Sequence, residues 1–215
     1  MSTVDFSQLL PPSLITELSY EAIFTKRKES FISLYDASEQ QAVRELLQRE
    51  SEPVVKLLQE NAYLEMLYQA KCNADARSLL LAYAEKSDLD HLALTEYGLT
   101  RLVVTPADNT VIPPVEAVYE SDERLRERCI LSFDGMNTAG SANAYRYFTL
   151  SADGRVDGIK VKSDEATPCF LDIVITQVDS ENGAASEELI QIVQTALDPD
   201  TVRPVGDRPT VKSSI

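Results

Sequence analysis

Cys169-Phe170-Leu171-Asp172-Ile173-Val174-Ile175-Thr176-Gln177 leads through a polar loop, Asp179-Ser180-Glu181-Asn182-Gly183-Ala184, into Ser186-Glu187-Glu188-Leu189-Ile190-Gln191-Ile192-Val193-Gln194-Thr195-Ala196-Leu197. In the first part Cys169, Leu171, Ile173 and Ile175 fall on alternate positions, so they share one face of a strand. In the second, Leu189, Ile192, Val193, Ala196 and Leu197 recur at helical spacing. Ser186 opens that helix and Asp198-Pro199 stops it. The period changes from two to 3.6 within one segment, so a strand hands over to a helix that can lie on it. Upstream, Asp153-Gly154 signals a turn. Ile159 and Val161 then alternate with Lys160 and Lys162 in a half-exposed strand, with Gly158 at a bulge position. Downstream, Thr210-Val211 predicts a further strand.

Two helices precede this group. Ser121 caps the first, with Asp122 and Glu123 in the turn where a carboxylate meets the positive helix end. Its expected buried face is Leu125, Cys129, Phe133 and Met136. Gly135, Asn137 and Gly140 form a loop before Ser141 starts the second, with Tyr145 and Phe148 inward. From residue 121 the order is therefore helix, helix, strand, strand, helix, strand. This predicts an α+β fold with helices packed on one face of a small sheet. The chain ends as the last strand begins, which reads as a domain cut short at its C-terminal end.

Residues 1–100 read as a mainly helical assembly region. Leu9-Leu10-Pro11-Pro12-Ser13 cannot be helix interior, so a helix is expected from Leu14–Thr16. It buries Tyr20, Ile23, Phe24, Phe31, Leu34 and Tyr35, and Asp36-Ala37-Ser38 breaks it. A short helix carries Val43, Leu46 and Leu47. Ser51-Glu52-Pro53 starts a long one, with proline in the first turn where its missing N–H is harmless. From Val54 to Tyr97 there is neither Gly nor Pro. Two helices joined at Lys86-Ser87 fit, with Ser87 and Asp90 at capping-box spacing and Gly98 as the stop. Leu102-Val103-Val104 predicts a short strand, and residues 101–120, with Pro106, Pro113 and Pro114, an extended connection to the α+β domain at 121–215. In the long helix Val54, Leu58 and Leu64 are joined by Val55, Leu57, Met66, Leu67, Leu79, Leu80 and Leu81, which do not keep to one stripe. A helix apolar on more than one side needs more than one partner. In a chain this small, that second partner is expected to be another polypeptide.

The 215 residues are 44% hydrophobic and 26% charged, enough apolar material for a real core. Lys and Arg number 20 against 35 Asp and Glu, a net charge of −15 spread evenly along the chain. Without a basic region at domain scale, binding to a phosphate backbone or an acidic membrane surface is not expected. Cys72, Cys129 and Cys169 are odd in number and far apart, so they suit neither a disulfide framework nor a zinc site. Each lies in an apolar-periodic segment and is expected to be a buried free thiol, in a protein made in a reducing cytoplasm. No basic start with an apolar core and no run of ~18 apolar residues is present. The chain therefore reads as soluble and unprocessed.

His91 is the single histidine. Asp88 lies three residues before it on the same helix, a usable metal spacing, but nothing completes a ligand sphere. The Asp179–Gly183 stretch lacks the spacing and closing Glu of a calcium loop. Phosphate-loop, dinucleotide and nucleophile-elbow motifs are absent. Glu187-Glu188 and Asp198/Asp200 are indistinguishable from helix-terminal electrostatics. Arg124, Arg126 and Arg128 interleave with Glu123 and Glu127, as on a solvated helix face or an interface rim. No catalytic, cofactor-binding or metal-ligating residue is assigned.

Several stretches taken in order do carry a resemblance. Asp5-Phe6-Ser7-Gln8-Leu9 is followed by Glu50-Ser51-Glu52-Pro53-Val54-Val55-Lys56-Leu57-Leu58-Gln59-Glu60-Asn61-Ala62-Tyr63. Ser87-Asp88-Leu89-Asp90, Thr105-Pro106-Ala107-Asp108, Glu120-Ser121-Asp122 and Ala139-Gly140-Ser141 come next. Ala144-Tyr145, Ser151-Ala152-Asp153-Gly154-Arg155-Val156, Arg203-Pro204-Val205 and Asp207-Arg208 complete the series. From about residue 3 to residue 212 the chain resembles the baseplate assembly protein J (baseplate J-like) family of contractile-tailed bacteriophages. That resemblance implies a structural subunit of the inner wedges of a phage or prophage tail baseplate. It also implies contacts with copies of itself, with the neighbouring family-I wedge partner and with the lysozyme-like wedge protein. The expected location is the virion baseplate, after assembly in the host cytoplasm. It implies no catalytic residue and no cofactor, and family chains generally extend past the last residue here.

On the residues alone, Val54, Leu57, Leu58, Leu64 and Leu67 of the long helix are the candidate interaction residues. They would join a helical bundle with partner chains. An acidic carboxylate-based hydrolase, or a free-standing acidic adaptor or chaperone, is the alternative reading.

Overall fold

The computed structural model describes residues 18–136, 138–164, 166–178, 180 and 182–214. The helix start expected at Leu14–Thr16 lies outside them. The described chain divides into two compact units, residues 18–83 and 84–214. Seven α-helices and two small sheets make an α+β fold with an N-terminal helical region, as the periodicities predict.

The first unit contains three helices, α1 (Tyr20–Ile32), α2 (Gln40–Leu46) and α3 (Pro53–Ser78). The Ser19 hydroxyl accepts from the Ala22 amide at 3.3 Å and so satisfies one of the free donors of α1. Pro53 stands in the first turn of α3, behind an extended Glu52. Ile32, Leu47, Val55 and Leu58 form the core, with Phe24, Phe31, Val43 and Val54 packed around it. The ion pairs Arg27–Glu65 (2.7 Å) and Arg44–Glu29 (2.8 Å) lie on the surface, where such pairs contribute about 0–1 kcal/mol. Leu34 and Tyr35, expected inward, are exposed because α1 has already ended at Ile32.

The second unit begins with α4 (Lys86–Tyr97), which ends on Gly98 at φ 66°. The Ser87/Asp90 capping box is not formed. Glu85 is the N-cap, and the α4 start is capped from outside, where Asp122 Oδ2 accepts from the Lys86 amide at 2.9 Å. Strands β1 (Val103–Thr105) and β2 (Val118–Tyr119) pair antiparallel, and a bridge joins Asp108 to Val115 between them. Helix α5 (Asp122–Leu131) carries the Ser121 cap expected, its hydroxyl accepting from the Arg124 amide at 3.3 Å. Leu125 and Cys129 are buried, whereas Phe133 and Met136 are exposed. The helix stops at Leu131 and a short 3-10 turn at Asp134–Met136 breaks the period that would have kept them inward.

Helix α6 (Ala142–Ala152) leads into the antiparallel pair β3 (Val156–Asp164) and β4 (Thr167–Gln177). The register slips between Val156 and Ile159, with the Gly158 amide donating to Thr176 Oγ1 at 2.7 Å. That is the bulge position read from the glycine. Helix α7 (Glu187–Leu197) then crosses over to β5 (Arg208–Ser213), which lies parallel to β4. Parallel neighbours require such a crossover. Leu171, Ile173 and Ile175 of β4 and Val211 of β5 pack against Leu189, Val193 and Leu197 of α7 and Tyr145 and Leu150 of α6. Both helices thus cover one face of the sheet. The Tyr145 hydroxyl donates to Asp207 Oδ2 at 2.6 Å, tying α6 to the approach to β5. Gly154 is required by a close approach: a Cβ there would stand 2.3 Å from the Val103 carbonyl oxygen.

Of the three thiols expected inside, only Cys129 is buried. Cys72 lies on the exposed side of α3, and Cys169 sits on the part of β4 that runs past the helix cover. Burial raises the Cys129 thiol to about 11, which suppresses the reactive thiolate. Iodoacetamide labelling followed by peptide mapping should therefore modify Cys72 and Cys169 rapidly in the folded chain, and Cys129 only on unfolding. Labelling of all three at one rate would contradict this packing.

Candidate interaction surfaces

Helix α3 is about 39 Å long at 1.5 Å per residue, far longer than its core requires. Val55, Leu58 and Ala62 face that core. Roughly 130° around the helix, at 100° per residue, Leu57, Leu64 and Tyr68 lie within an arc of about 40°. Their exposures are 56%, 54% and 68%, and Tyr63 and Leu67 extend the exposed apolar surface beside them. Of the five candidate residues, Val54 and Leu58 pack within the first unit, while Leu57, Leu64 and Leu67 are exposed. The seven-residue step from Leu57 to Leu64, with Leu67 and Tyr68 next, has the spacing of a helix–helix seam. Tyr63 and Tyr68 join the candidates on the same surface; the i, i+4 steps from Tyr63 to Leu67 and from Leu64 to Tyr68 were the available signal.

A different arrangement organises the second unit. Glu120, whose side chain is fully buried, accepts from the Leu102 amide at 2.9 Å and from the Arg128 guanidinium. Arg128, itself 3% exposed, also donates to the Thr100 carbonyl at 3.1 Å and to Ser151 Oγ at 3.3 Å. Arg124 pairs with the other Glu120 oxygen at 3.4 Å and donates to the Asp153 carbonyl at 3.1 Å. Arg101 bridges Asp90 (2.7 Å), the Glu120 carbonyl (2.7 Å) and Asp122 (2.6 Å). Arg126 donates to the Ala84 carbonyl at 2.7 Å. The α5 arginines are therefore not a solvated face or a rim: they turn inward and hold the strand pair, α4 and the α6–β3 turn together. The spacing of Glu120, Arg124 and Arg128, each four apart, was the sequence signal for this ladder.

The electrostatics follow from these partners. Burial works to raise the Asp122 carboxyl, but the Lys86 amide and the Arg101 guanidinium outweigh it and hold it below the usual range. Asp153 behaves likewise, burial being overcome by the side chain and amide of Arg155. Beside this network a cleft of about 490 Å3 is lined by Glu120, Glu123, Arg124, Glu127 and Asp157 among others. Glu123 is held low by backbone and Ser121 hydrogen bonds, opposite to what a general acid needs. His91 and Asp88 are exposed on α4. Among the described residues no group of three His, Cys, Asp or Glu gathers to hold a metal. Asp179 and Glu181 of the oxygen-rich loop lie outside the described residues.

Substituting Arg128→Met should cost about 3–5 kcal/mol in denaturant unfolding, because Glu120 would stay buried without its partner. Adding Glu120→Gln should recover part of that loss. The lowered Asp122 and Asp153 carboxyls stabilise the fold above the ordinary carboxylate value near 3.9, a contribution lost as pH falls below it. Thermal midpoints should therefore drop on acidification below about pH 4, and less steeply in Asp122→Asn.

Two stretches of the chain match family models. Residues 50–108 match the Baseplate J-like N-terminal domain, and residues 137–213 match the Baseplate J-like central domain. The chain is also similar to Baseplate protein J of Escherichia phage P2, with 45% identity over 214 residues. That alignment covers 100% of this chain and 70% of the phage P2 protein.

Proposed function

From the premise that this chain belongs to the baseplate J-like family, we propose that it is a structural subunit of a contractile-tail baseplate wedge, assembled through the open face of α3. The family supports the baseplate role. The observation that carries the assembly reading is the apolar row Leu57, Leu64 and Tyr68, set away from the face that builds the unit's own core. A helix of a neighbouring baseplate subunit fits such a row, its side chains interleaving at heptad spacing. Between Leu57 and Tyr68 the row runs about 17 Å along the axis, and Tyr63 and Leu67 widen it.

The two units hold themselves together in different ways. In the second, Glu120, Arg124 and Arg128 tie α5 to the strand pair and to the turn after α6. In the first, large side chains remain in water at a cost of about 25 cal/mol per Å2 that burial against a partner would recover. Copies of this chain, a family-I wedge protein and a lysozyme-like wedge protein are the candidate occupants, in the virion baseplate and during assembly in the host cytoplasm. No helix among the described residues is long and apolar enough to cross a membrane.

Co-expression with the products of adjacent tail genes, followed by native mass measurement, tests this. The complex should form with the chain as it stands. Leu57→Glu/Leu64→Glu should weaken it at least about tenfold, since central apolar interface residues contribute about 1–2 kcal/mol or more each. Its own thermal midpoint should hardly move, because exposed substitutions usually stay within about 0.5 kcal/mol. A double variant that still co-purifies at full yield would overturn the assignment of α3.

A further inference from the structure

Among the described residues the three-stranded sheet of the second unit has two free edges, β3 and β5. On β3 the charged side chains Lys160 and Lys162 follow the bulge at Gly158. Charges and a bulge both discourage strand-to-strand addition. On the other side β5 is only six residues long, Arg208–Ser213, and pairs with β4 alone. Just beyond it the Ser214 amide donates to the Ile175 carbonyl at 3.0 Å. Backbone groups alternate in direction along a strand, so the even-numbered residues here turn theirs toward β4. Pro209, Val211 and Ser213 turn theirs outward.

Two of those outward groups are met by one side chain. Gln194 of α7 donates from Nε2 to the Pro209 carbonyl at 3.1 Å and accepts at Oε1 from the Val211 amide at 2.9 Å. Its carboxamide thus offers one donor and one acceptor to residues two apart, as a peptide group of a neighbouring strand would. Pro209 adds to the closure, because it has no N–H to present on that edge. Ser213 Oγ accepts from the Ala185 amide at 3.0 Å, which ties the loop before α7 to the far end of the strand. The core does not need Gln194. Leu189, Val193 and Leu197 supply the buried face of α7. Gln194 is only half-buried and lines an open depression of about 560 Å3 with Thr195, Asp198 and Pro199.

We propose that Gln194 guards this edge: its carboxamide takes the place of a fourth strand and closes β5 to extended segments of other molecules. The bonds it makes are the ones an incoming strand needs, and that strand cannot use them while Gln194 does. A carboxamide suits the task because it matches the donor and acceptor of a peptide group. It ends after that one pair and presents no further edge, so the sheet stops there. Without it, the Pro209 carbonyl and the Val211 amide would stand in line with the Val211 carbonyl and the Ser213 amide as a template for strand addition. The two edges are then protected by different means, charge and a bulge on β3, proline and a borrowed amide on β5. The device lies within the second unit and uses no α3 residue, so it stands or falls apart from the wedge reading.

Amide hydrogen exchange and sheet-mediated association of Gln194→Ala test the guard. Both are measured on the full chain in a Leu57→Glu/Leu64→Glu background, so that contacts through α3 do not contribute. The Val211 amide should exchange about threefold to tenfold faster than with Gln194 in place, the equivalent of one hydrogen bond. The Ile173 and Ile175 amides of β4 should keep their rates. On incubation the variant should form thioflavin-positive, sheet-rich oligomers severalfold faster than its parent. Gln194→Glu still accepts from the Val211 amide but, once ionised, cannot donate to Pro209. It should keep the Val211 protection and associate at an intermediate rate. Gln191→Ala, one turn away and bonded through its side chain only to Glu187, should behave as the parent. Val211 exchange unchanged in Gln194→Ala would overturn the proposal. So would faster association shared by Gln191→Ala, or a Val211 amide that opens with no gain in association.

Discussion

The second unit depends on a carboxylate taken out of water. Glu120 is buried at the end of β2, and its charge is tolerable only because Arg128 and Arg124 reach it from consecutive turns of α5 while the Leu102 amide donates to it. Each of those arginines also donates to a carbonyl elsewhere, Arg128 to that of Thr100 and Arg124 to that of Asp153. One helix thereby fixes the strand pair, the end of α6 and the start of the main sheet. Such buried pairs add little net stability compared with apolar packing. What they supply is geometry, because a guanidinium satisfies its donors in few orientations.

The first unit is built on the opposite principle. Its core is small, six buried apolar side chains among the described residues with a ring of partly buried ones, and its longest helix carries more apolar surface than that core can use. A domain of this size buries a modest share of its surface at best. The excess is concentrated along α3 rather than scattered, and contiguous apolar surface of that kind is what association uses. The family to which the chain belongs gives that surface a setting in a tail baseplate.

Charge is distributed unevenly over the second unit. Most of the second unit's arginines pair internally, while three of its four lysines, Lys160, Lys162 and Lys212, stand on one sheet face. An acidic body of this kind repels other acidic bodies at long range. That favours specific contacts over loose aggregation.

The element order from Ser121 onward was legible in the residues themselves. Period two in Leu171, Ile173 and Ile175, and the step of four in Leu189, Val193 and Leu197, are local consequences of backbone geometry. The Ser121, Ser141 and Ser186 caps act within three residues, and Gly98 closes its own helix, so they too could be read directly. Depth could not. Cys169, Phe133 and Met136 continue an apolar period yet lie outside, because their elements run past or end before the layer that would cover them. The inward turn of Arg124, Arg126 and Arg128, the capping of α4 by Asp122 instead of Ser87, and the exposure of Leu57 beside a buried Leu58 were likewise decided by tertiary structure. Each depends on where a distant carboxylate, carbonyl or helix comes to rest, and spacing along one chain segment carries no information about partners that folding alone brings near.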